Sequence, residues 1–223
     1  MQTIRETISE FRKAENGRTG YTSDDTALSD QYIYSMLNQA RARYYKQKMT
    51  NNQSFSAQSV QSLNCIELVE ADKSQCPSTP PSGCIWLEST CELPTFIKVR
   101  SVTNDIGSDN YSYIAWNRAG SIGKSRVKAS RDAKYYTYKN TSEGVKFYIL
   151  NNEYMRFASM EVIGDSPLEV LEFCNGESCK PMEEYMFSTR SEIEVIIKMA
   201  VDSYMRLIQS SRPDLANNDN ILQ

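Results

Sequence analysis

No histidine occurs among the 223 residues. That removes the commonest general base, the commonest metal ligand, and every Ser-His-Asp or Cys-His arrangement. Carboxylates, lysines and tyrosines remain as reactive groups. No apolar run approaches the length of about 18 residues that a membrane span needs. The opening stretch MQTIRETISEFRKAENG carries acids and lacks an apolar core, so it does not read as a signal peptide, and synthesis in the cytoplasm is expected. The net charge is only −3, so bulk attraction to nucleic acid is not implied.

A complete phosphate loop is also missing. AGSIGKS, residues 119–125, ends in Gly-Lys-Ser, but the position where the first loop glycine belongs holds Arg118. Such a loop must leave a buried strand and open a helix whose N-terminus holds the anion. The following RVKASRDAKYYTYKN has no apolar face at helical spacing. A turn between two strands, built on Gly120 and Gly123, is the expectation.

The six cysteines are Cys65, Cys76, Cys84, Cys91, Cys174 and Cys179. Structural zinc sites offer pairs in close spacing, and only FCNGESC comes near, with no second pair close in sequence. Reduced thiols are expected, with no metal and no cofactor; a Cys76–Cys84 bridge stays open if the environment oxidises. The adjacent acids Asp24, Asp25, Glu183 and Glu184 read as solvated loop or helix-start residues rather than a carboxylate pair across a cleft.

What is present is patterned. Thr3 and Glu6 have capping-box spacing, and Ile4, Ile8 and Phe11 share a face, which predicts a helix over 3–14 stopped by Asn16 and Gly17. Ser29 or Asp30 caps a second predicted helix over 30–48. Its stripe is Ile33, Met36 or Leu37, Ala40 and Tyr44, with Arg41, Arg43, Lys46 and Lys48 toward its end. Thr189 and Glu192 repeat the box before Ile193, Ile196, Ile197, Ala200, Tyr204, Leu207 and Ile208, which predicts a helix over 189–210 closed by Pro213. Between them lie short strand-like stretches: NCIELVEAD, CIWLEST, FIKVRSVTN, YSYIAWN, AKYYTYKN, VKFYILN and MRFASMEVI. SPLEVLEFCNGESCKPMEEYMF reads as a mixed acidic segment.

The expected fold is α+β: an N-terminal helix pair and a C-terminal helix packed as a bundle, with an antiparallel β-rich insertion between them. The parts would be a helical region 1–52, a β-rich middle 53–187, the helix 188–210 completing the bundle, and an extended tail 211–223. The tail reads as loose, or as lying along a neighbouring subunit.

Charge is segregated along the chain. Residues 95–150 hold ten Lys and Arg against four Asp and Glu, a balance of +6; residues 151–187 hold two against eight, a balance of −6. The basic segment could face DNA, an acidic surface of a partner or like neighbour, or solvent. Tyr, at 14 residues, serves either contact surfaces or strand interiors, and both readings stay open.

The stretches TIRETISEFRKA, SDDTALSDQYIYSMLNQARARYYKQKM and SEIEVIIKMAVDSYMRLIQ resemble head-to-tail connector adaptors of tailed bacteriophages. NCIELVEADKSQCPSTPPSGC followed by LPTFIKVRSV is similar to structural ring proteins of crAss-like phages, over most of residues 20–210. The resemblance implies a structural virion protein rather than an enzyme. It would form a homo-oligomeric ring, a dodecamer, below the portal protein at the head–tail junction. DNA would pass through its channel without sequence specificity, and neighbouring ring or tail proteins would stack on it. On that reading Lys124, Arg126, Lys128, Arg131 and Lys134 are the candidates for contact with DNA or the next subunit. Leu215, Ile221 and Leu222 are the candidates for contact with the portal or the next ring. Two alternatives stand beside it: an accessory protein that binds DNA without sequence preference through residues 95–150, and an enzyme acting through carboxylates or the Gly-Lys-Ser turn.

Overall fold

The computed structural model describes residues 2–19, 28–72, 76, 85–124, 134–142, 144–151, 155–175 and 181–211. The fold is mixed α/β. By internal contacts the chain divides into two compact units, Met1–Ser56 with Lys180–Gln223, and Ala57–Cys179.

The first unit is helical. Its helices are α1 (Ile4–Thr19), α2 (Asp30–Thr50) and α4 (Arg190–Ser211), and each touches the other two. Both capping boxes form. Thr3 N–H donates to Glu6 Oε2 at 2.9 Å, and Glu6 N–H to Thr3 Oγ1 at 3.2 Å. Thr189 N–H donates to Glu192 Oε2 at 2.8 Å, and Glu192 N–H to Thr189 Oγ1 at 3.3 Å. Ser29 caps α2 by accepting from Tyr32 N–H. Ile4, Ile8, Phe11, Ile33, Leu37, Ile193, Ile196 and Ala200 are buried, as their helical spacing requires. Two details differ from the sequence reading. α1 continues through Asn16 and Gly17 to Thr19, because Arg18 in its last turn pairs with Asp202 of α4. On α2 the buried tyrosine is Tyr45, and Tyr44 is only half-buried.

A polar cluster joins α2 to the start of α4. Lys48 Nζ donates to Glu192 Oε1 at 2.7 Å. The Tyr45 hydroxyl lies 2.9 Å from Ser188 Oγ and 3.2 Å from Glu192 Oε2. Arg41, fully buried, donates from Nη2 to the Phe187 carbonyl at 3.3 Å and stacks its guanidinium 5.0 Å from the Tyr45 ring centroid. Phe187 has φ +47°, a left-handed conformation that a bulky residue adopts only when its surroundings hold it.

The second unit is a seven-stranded sheet in the order β3-β7-β1-β2-β6-β5-β4. The strands are β1 (Gln61–Glu70), β2 (Ile85–Ser89), β3 (Phe96–Asn104), β4 (Ser112–Tyr113), β5 (Tyr135–Asn140), β6 (Val145–Asn151) and β7 (Phe157–Gly164). The two ends of that order, β3 and β4, are joined by the short connection 105–111. Tyr111 N–H donates back to the Val102 carbonyl at 3.0 Å, and Thr103 bridges Asn110. The sheet therefore curls, and one core fills the curl. Leu63, Leu68, Leu87, Val102, Tyr136, Phe147, Ile149 and Met160 are among its members. Alternation along β6 places Phe147 and Ile149 in this core, and Tyr148 and Leu150 in a smaller cluster on the other face.

The insertion is not wholly antiparallel. β4 pairs parallel to β5, through Ser112–Tyr135 and Tyr113–Tyr136. A parallel neighbour requires a crossover of about a dozen residues or more that lies against a sheet face. Part of that crossover, Trp116–Lys124, is a 3₁₀ helix, where a simple strand-to-strand turn was expected. The acidic segment after β7 begins with α3 (Pro167–Asn175), a helix the sequence reading missed. Pro167 occupies its first position, where no N–H is needed. Gln61 Nε2 donates to the Pro167 carbonyl at 2.8 Å.

Two outcomes follow from these contacts. A Cβ on Gly144 would lie 2.5 Å from the Leu93 carbonyl oxygen, which accepts from Val145 N–H at 2.9 Å. Gly144→Ala is therefore expected to lower stability by about 1–3 kcal/mol, read as a lower urea midpoint; an unchanged midpoint would contradict that packing.

For Glu192, burial alone would raise the carboxyl, but the Lys48 hydrogen bond, the Thr189 N–H and the Lys48 charge together hold it below its ordinary 4.5. For Lys48, burial alone would lower the amine, and Glu192 holds it above 10.5. The Glu192 contribution is thus complete above the ordinary carboxyl value and lost as pH falls through the depressed one. The Lys48 contribution is complete below the ordinary amine value and lost as pH rises through the raised one. Glu192→Gln should cost about 2 kcal/mol near neutral pH, with the deficit shrinking toward about pH 3. An equal deficit at both pH values would mean that the charge of Glu192 contributes nothing.

Candidate functional site

The cations of the basic segment do not stand clear of the acids. Antiparallel pairing lays basic β3 on acidic β7, where Arg100 Nε lies 3.7 Å from Glu161 Oε2 and Ser101 Oγ donates to the same oxygen at 2.9 Å. Lys146 Nζ lies 3.8 Å from Glu88 Oε1. Lys134, one of the five cations predicted for DNA or subunit contact, pairs with Asp109 Oδ2 at 2.6 Å. Lys139 lies 5.7 Å from the Trp116 ring centroid. Arg126, Lys128 and Arg131 lie outside the described residues, as does the side chain of Lys124. Of these pairs, Arg100–Glu161 is the one that joins the basic segment to the acidic one; Asp109 belongs to the basic segment itself, and Glu88 to neither.

Ala-Gly-Ser-Ile-Gly-Lys belongs to the 3₁₀ helix of the crossover. Ala119 is fully buried against Ala71, Trp86, Tyr148 and Leu150, and Trp116 meets the Tyr148 ring edge-on at 5.0 Å. The stretch covers the outer face of β2 and β6. Burial pushes the Tyr148 hydroxyl up to about 12, with Glu88 and Cys76 beside it adding to the effect.

At the sheet end, Phe96, Tyr138, Tyr113 and Tyr136 form a row of ring contacts at 5.1–5.5 Å. Burial, then the neighbouring phenols of Tyr138 and Tyr113, raises Tyr136 to about 12. Tyr113, which touches both Tyr138 and Tyr136, is half-exposed within that row. Tyrosine thus fills the strand interior more than it coats the surface, although Tyr113 and Tyr32 remain open to partners.

Cys76 and Cys91 are free thiols, and Cys76 is raised by burial and then by Glu88, Asp72 and Glu70. The side chains of the other four cysteines lie outside the described residues. Among the described residues no three Cys, Asp or Glu side chains gather as a metal site. Within the same limits, no helix is long and apolar enough to cross a membrane.

The helical unit carries a groove that periodicity alone does not reveal. Tyr32, Ser35, Met36, Gln39 and Arg43 follow one another along α2 at helical spacing, beside the buried stripe. Ser203, Arg206 and Leu207 of α4 form the opposite wall. The space is about 590 Å³. Arg43 Nη1 reaches Ser203 Oγ at 3.4 Å across it. Tyr32 and Leu207 are 45% and 56% exposed, unusual for side chains of that size on facing helices. The lining holds two arginines and no acid. The signal available in the sequence was the ambiguity of the Met36–Leu37 pair: Leu37 is buried, which leaves Met36 to the groove.

Comparison with known families settles the kind of protein. The family model for phage tail ring protein 2, of the crAss-like ring series, matches residues 15–223. The chain belongs to that family. No curated protein matches the chain. The tail ring protein is accordingly a structural component of the phage particle. The predicted tail contacts of this ring protein, Leu215, Ile221 and Leu222, fall outside the described residues.

The covering role of the Gly-Lys-Ser stretch has a direct check. Ala119→Asp would place a carboxylate against Trp86 and Leu150 and should cost on the order of 3 kcal/mol. Lys124→Ala should leave folding within about 0.5 kcal/mol. Equal urea midpoints for the parent and Ala119→Asp would show that the 3₁₀ helix does not seal the sheet.

Proposed function

We propose that this tail ring protein is a non-enzymatic connector subunit. Copies close into a dodecameric ring below the portal, and DNA passes through the centre. The helices α1, α2 and α4 act as a bundle that stands beside its neighbours, with the sheet unit as a second contact surface. The portal protein and neighbouring ring or tail proteins are its partners.

The observation that carries this reading is the family match over residues 15–223, joined to the absence of any histidine. A ring subunit repeats one heterologous contact until it closes, so it needs two unlike surfaces rather than a reaction centre. The groove on α2 and α4 and the half-exposed Tyr113 of the aromatic row offer two such surfaces. Lys124, Arg126, Lys128, Arg131 and Lys134 are assigned to the DNA-facing or subunit-facing side. DNA in a channel must slide, so phosphate attraction without base readout suits the task. The tail with Leu215, Ile221 and Leu222 has two destinations, the portal or next ring on one hand and a neighbouring copy on the other.

The test is the mass and shape of the purified protein, alone and with the portal protein. The expected result is a discrete closed ring that docks on the portal, and loss of DNA retention in the particle when Lys128→Glu and Lys134→Glu are combined. A monomer that binds DNA with a steep loss on adding salt would favour the accessory reading instead. A monomer that binds nucleotide, abolished by Lys124→Ala, would favour an enzyme.

A further inference from the structure

We infer that the groove between α2 and α4 is the receptor for the C-terminal segment 213–223 of a neighbouring copy. The inference rests on the ring reading and names the contact that closes the ring.

Charge is the first argument. Arg43 and Arg206 are the charged groups of the lining, and both side chains are exposed. The segment PDLANNDNILQ contains Asp214 and Asp219 and no Lys or Arg. The receptor is cationic and the ligand anionic, although the chain as a whole is nearly neutral. Exposed Arg–carboxylate pairs add little stability but fix register and partner choice.

Apolar chemistry is the second argument. Tyr32, Met36 and Leu207 line the space, and Tyr32 and Leu207 are about half exposed. Outside the helices the segment offers Leu215, Ile221 and Leu222. In an extended strand Leu215, Asn217, Asp219 and Ile221 share one face, with an acid between two apolar side chains, and Asp214 falls on the opposite face at the start of the segment. That order matches a groove in which methionine and leucine sit among arginines. A space of about 590 Å³ accepts two aliphatic side chains with room for backbone. Methionine adapts its shape to such an occupant. Ser35, Gln39 and Ser203 supply hydrogen-bonding groups for the backbone and asparagines of an extended segment.

The donor is a neighbouring copy for a reason of symmetry. Closure needs each subunit to offer a donor and an acceptor that it does not satisfy itself. The segment departs from the end of α4, whose last turns form one wall of the groove, and Pro213 bars continuation of the helix. Held in another subunit's groove, the segment would link each copy to the next around the ring, and the gain would grow with the number of links closed.

The test uses the full-length protein with a photoreactive benzoylphenylalanine in place of Ile221. Half of the copies carry heavy nitrogen. Irradiation should give covalent multimers in which residue 221 of one isotope is joined to Met36, Leu207 or their immediate neighbours in the other. Arg43→Glu with Arg206→Glu should lower the multimer yield about tenfold. Adding Asp214→Arg and Asp219→Arg should restore it, which simple misfolding would not allow. A closed ring whose residue 221 links within its own chain, or to the portal, overturns this inference and leaves the ring reading standing. So does a ring of unchanged copy number after removal of residues 213–223. A chain that stays monomeric at every concentration overturns both.

Discussion

A polar cluster registers α2 against α4, and at its centre lies the Lys48–Glu192 pair. Its two residues are separated in sequence by the whole sheet unit. Closing a loop of that length costs conformational entropy before any contact repays it, although the cost rises only slowly with length. The junction is therefore built redundantly. Arg41, Tyr45 and Lys48 lie at i, i+4 and i+7 on α2 and meet Phe187, Ser188 and Glu192 in that order. Glu192 serves two purposes at once, since one oxygen caps its own helix and the other receives Lys48. A cluster of this kind fixes register as well as proximity. A purely apolar seam of Ile, Leu and Ala would tolerate sliding by a turn, whereas sliding this cluster would leave its buried charged and hydroxyl groups without their partners.

The helices were legible because each carries its own punctuation. Thr3–Glu6 and Thr189–Glu192 are complete signals within four residues, and both form as spaced. Strands such as Phe96–Asn104 and Val145–Asn151 were legible for the same reason, as short apolar runs between turn residues. What was not legible depends on pairings distant in sequence. Arg41 looks like a helix-end cation, and only the position of Phe187 makes it a buried donor. YSYIAW looks like a strand, yet only Ser112–Tyr113 pairs, because the chain must then cross over to reach a parallel neighbour. Pro167 at the head of a short apolar repeat was a readable helix signal that acidic neighbours obscured. The groove was hidden for a further reason: it uses the positions beside the core stripe, where Met36 and Arg43 look like ordinary surface residues.

Charge segregation also changes meaning once the chain is folded. In sequence the basic and acidic segments seem to form two opposed faces. Strand pairing sets Arg100 against Glu161, and the same fold brings Lys134 to Asp109 and Lys146 to Glu88. A pair as exposed as Arg100–Glu161 contributes little to stability. The effect of these pairs is on the field, since a paired lysine attracts a distant phosphate less than a lone one does. The lining of the α2–α4 groove holds Arg43 and Arg206 and no acid, although Asp202, one turn before Arg206 on α4 and paired with Arg18, lies within reach of the Arg206 charge. Net charge, and even segmental charge, thus says less about a contact surface than the local balance within reach of a side chain.

The missing histidine bears on more than catalysis. It is the only side chain whose ordinary titration falls in the neutral range. In this ring protein the tie between α2 and α4 is displaced away from that range on both sides, with Glu192 held low and Lys48 held high. The buried phenols Tyr136 and Tyr148 are displaced upward as well, to about 12. The charges that hold the helical unit together therefore stay fixed across the conditions a particle meets before and after it leaves the cell. For a structural component of a phage particle, a tie whose two charges are held away from the neutral range keeps its geometry near neutral pH, and that follows from composition through geometry.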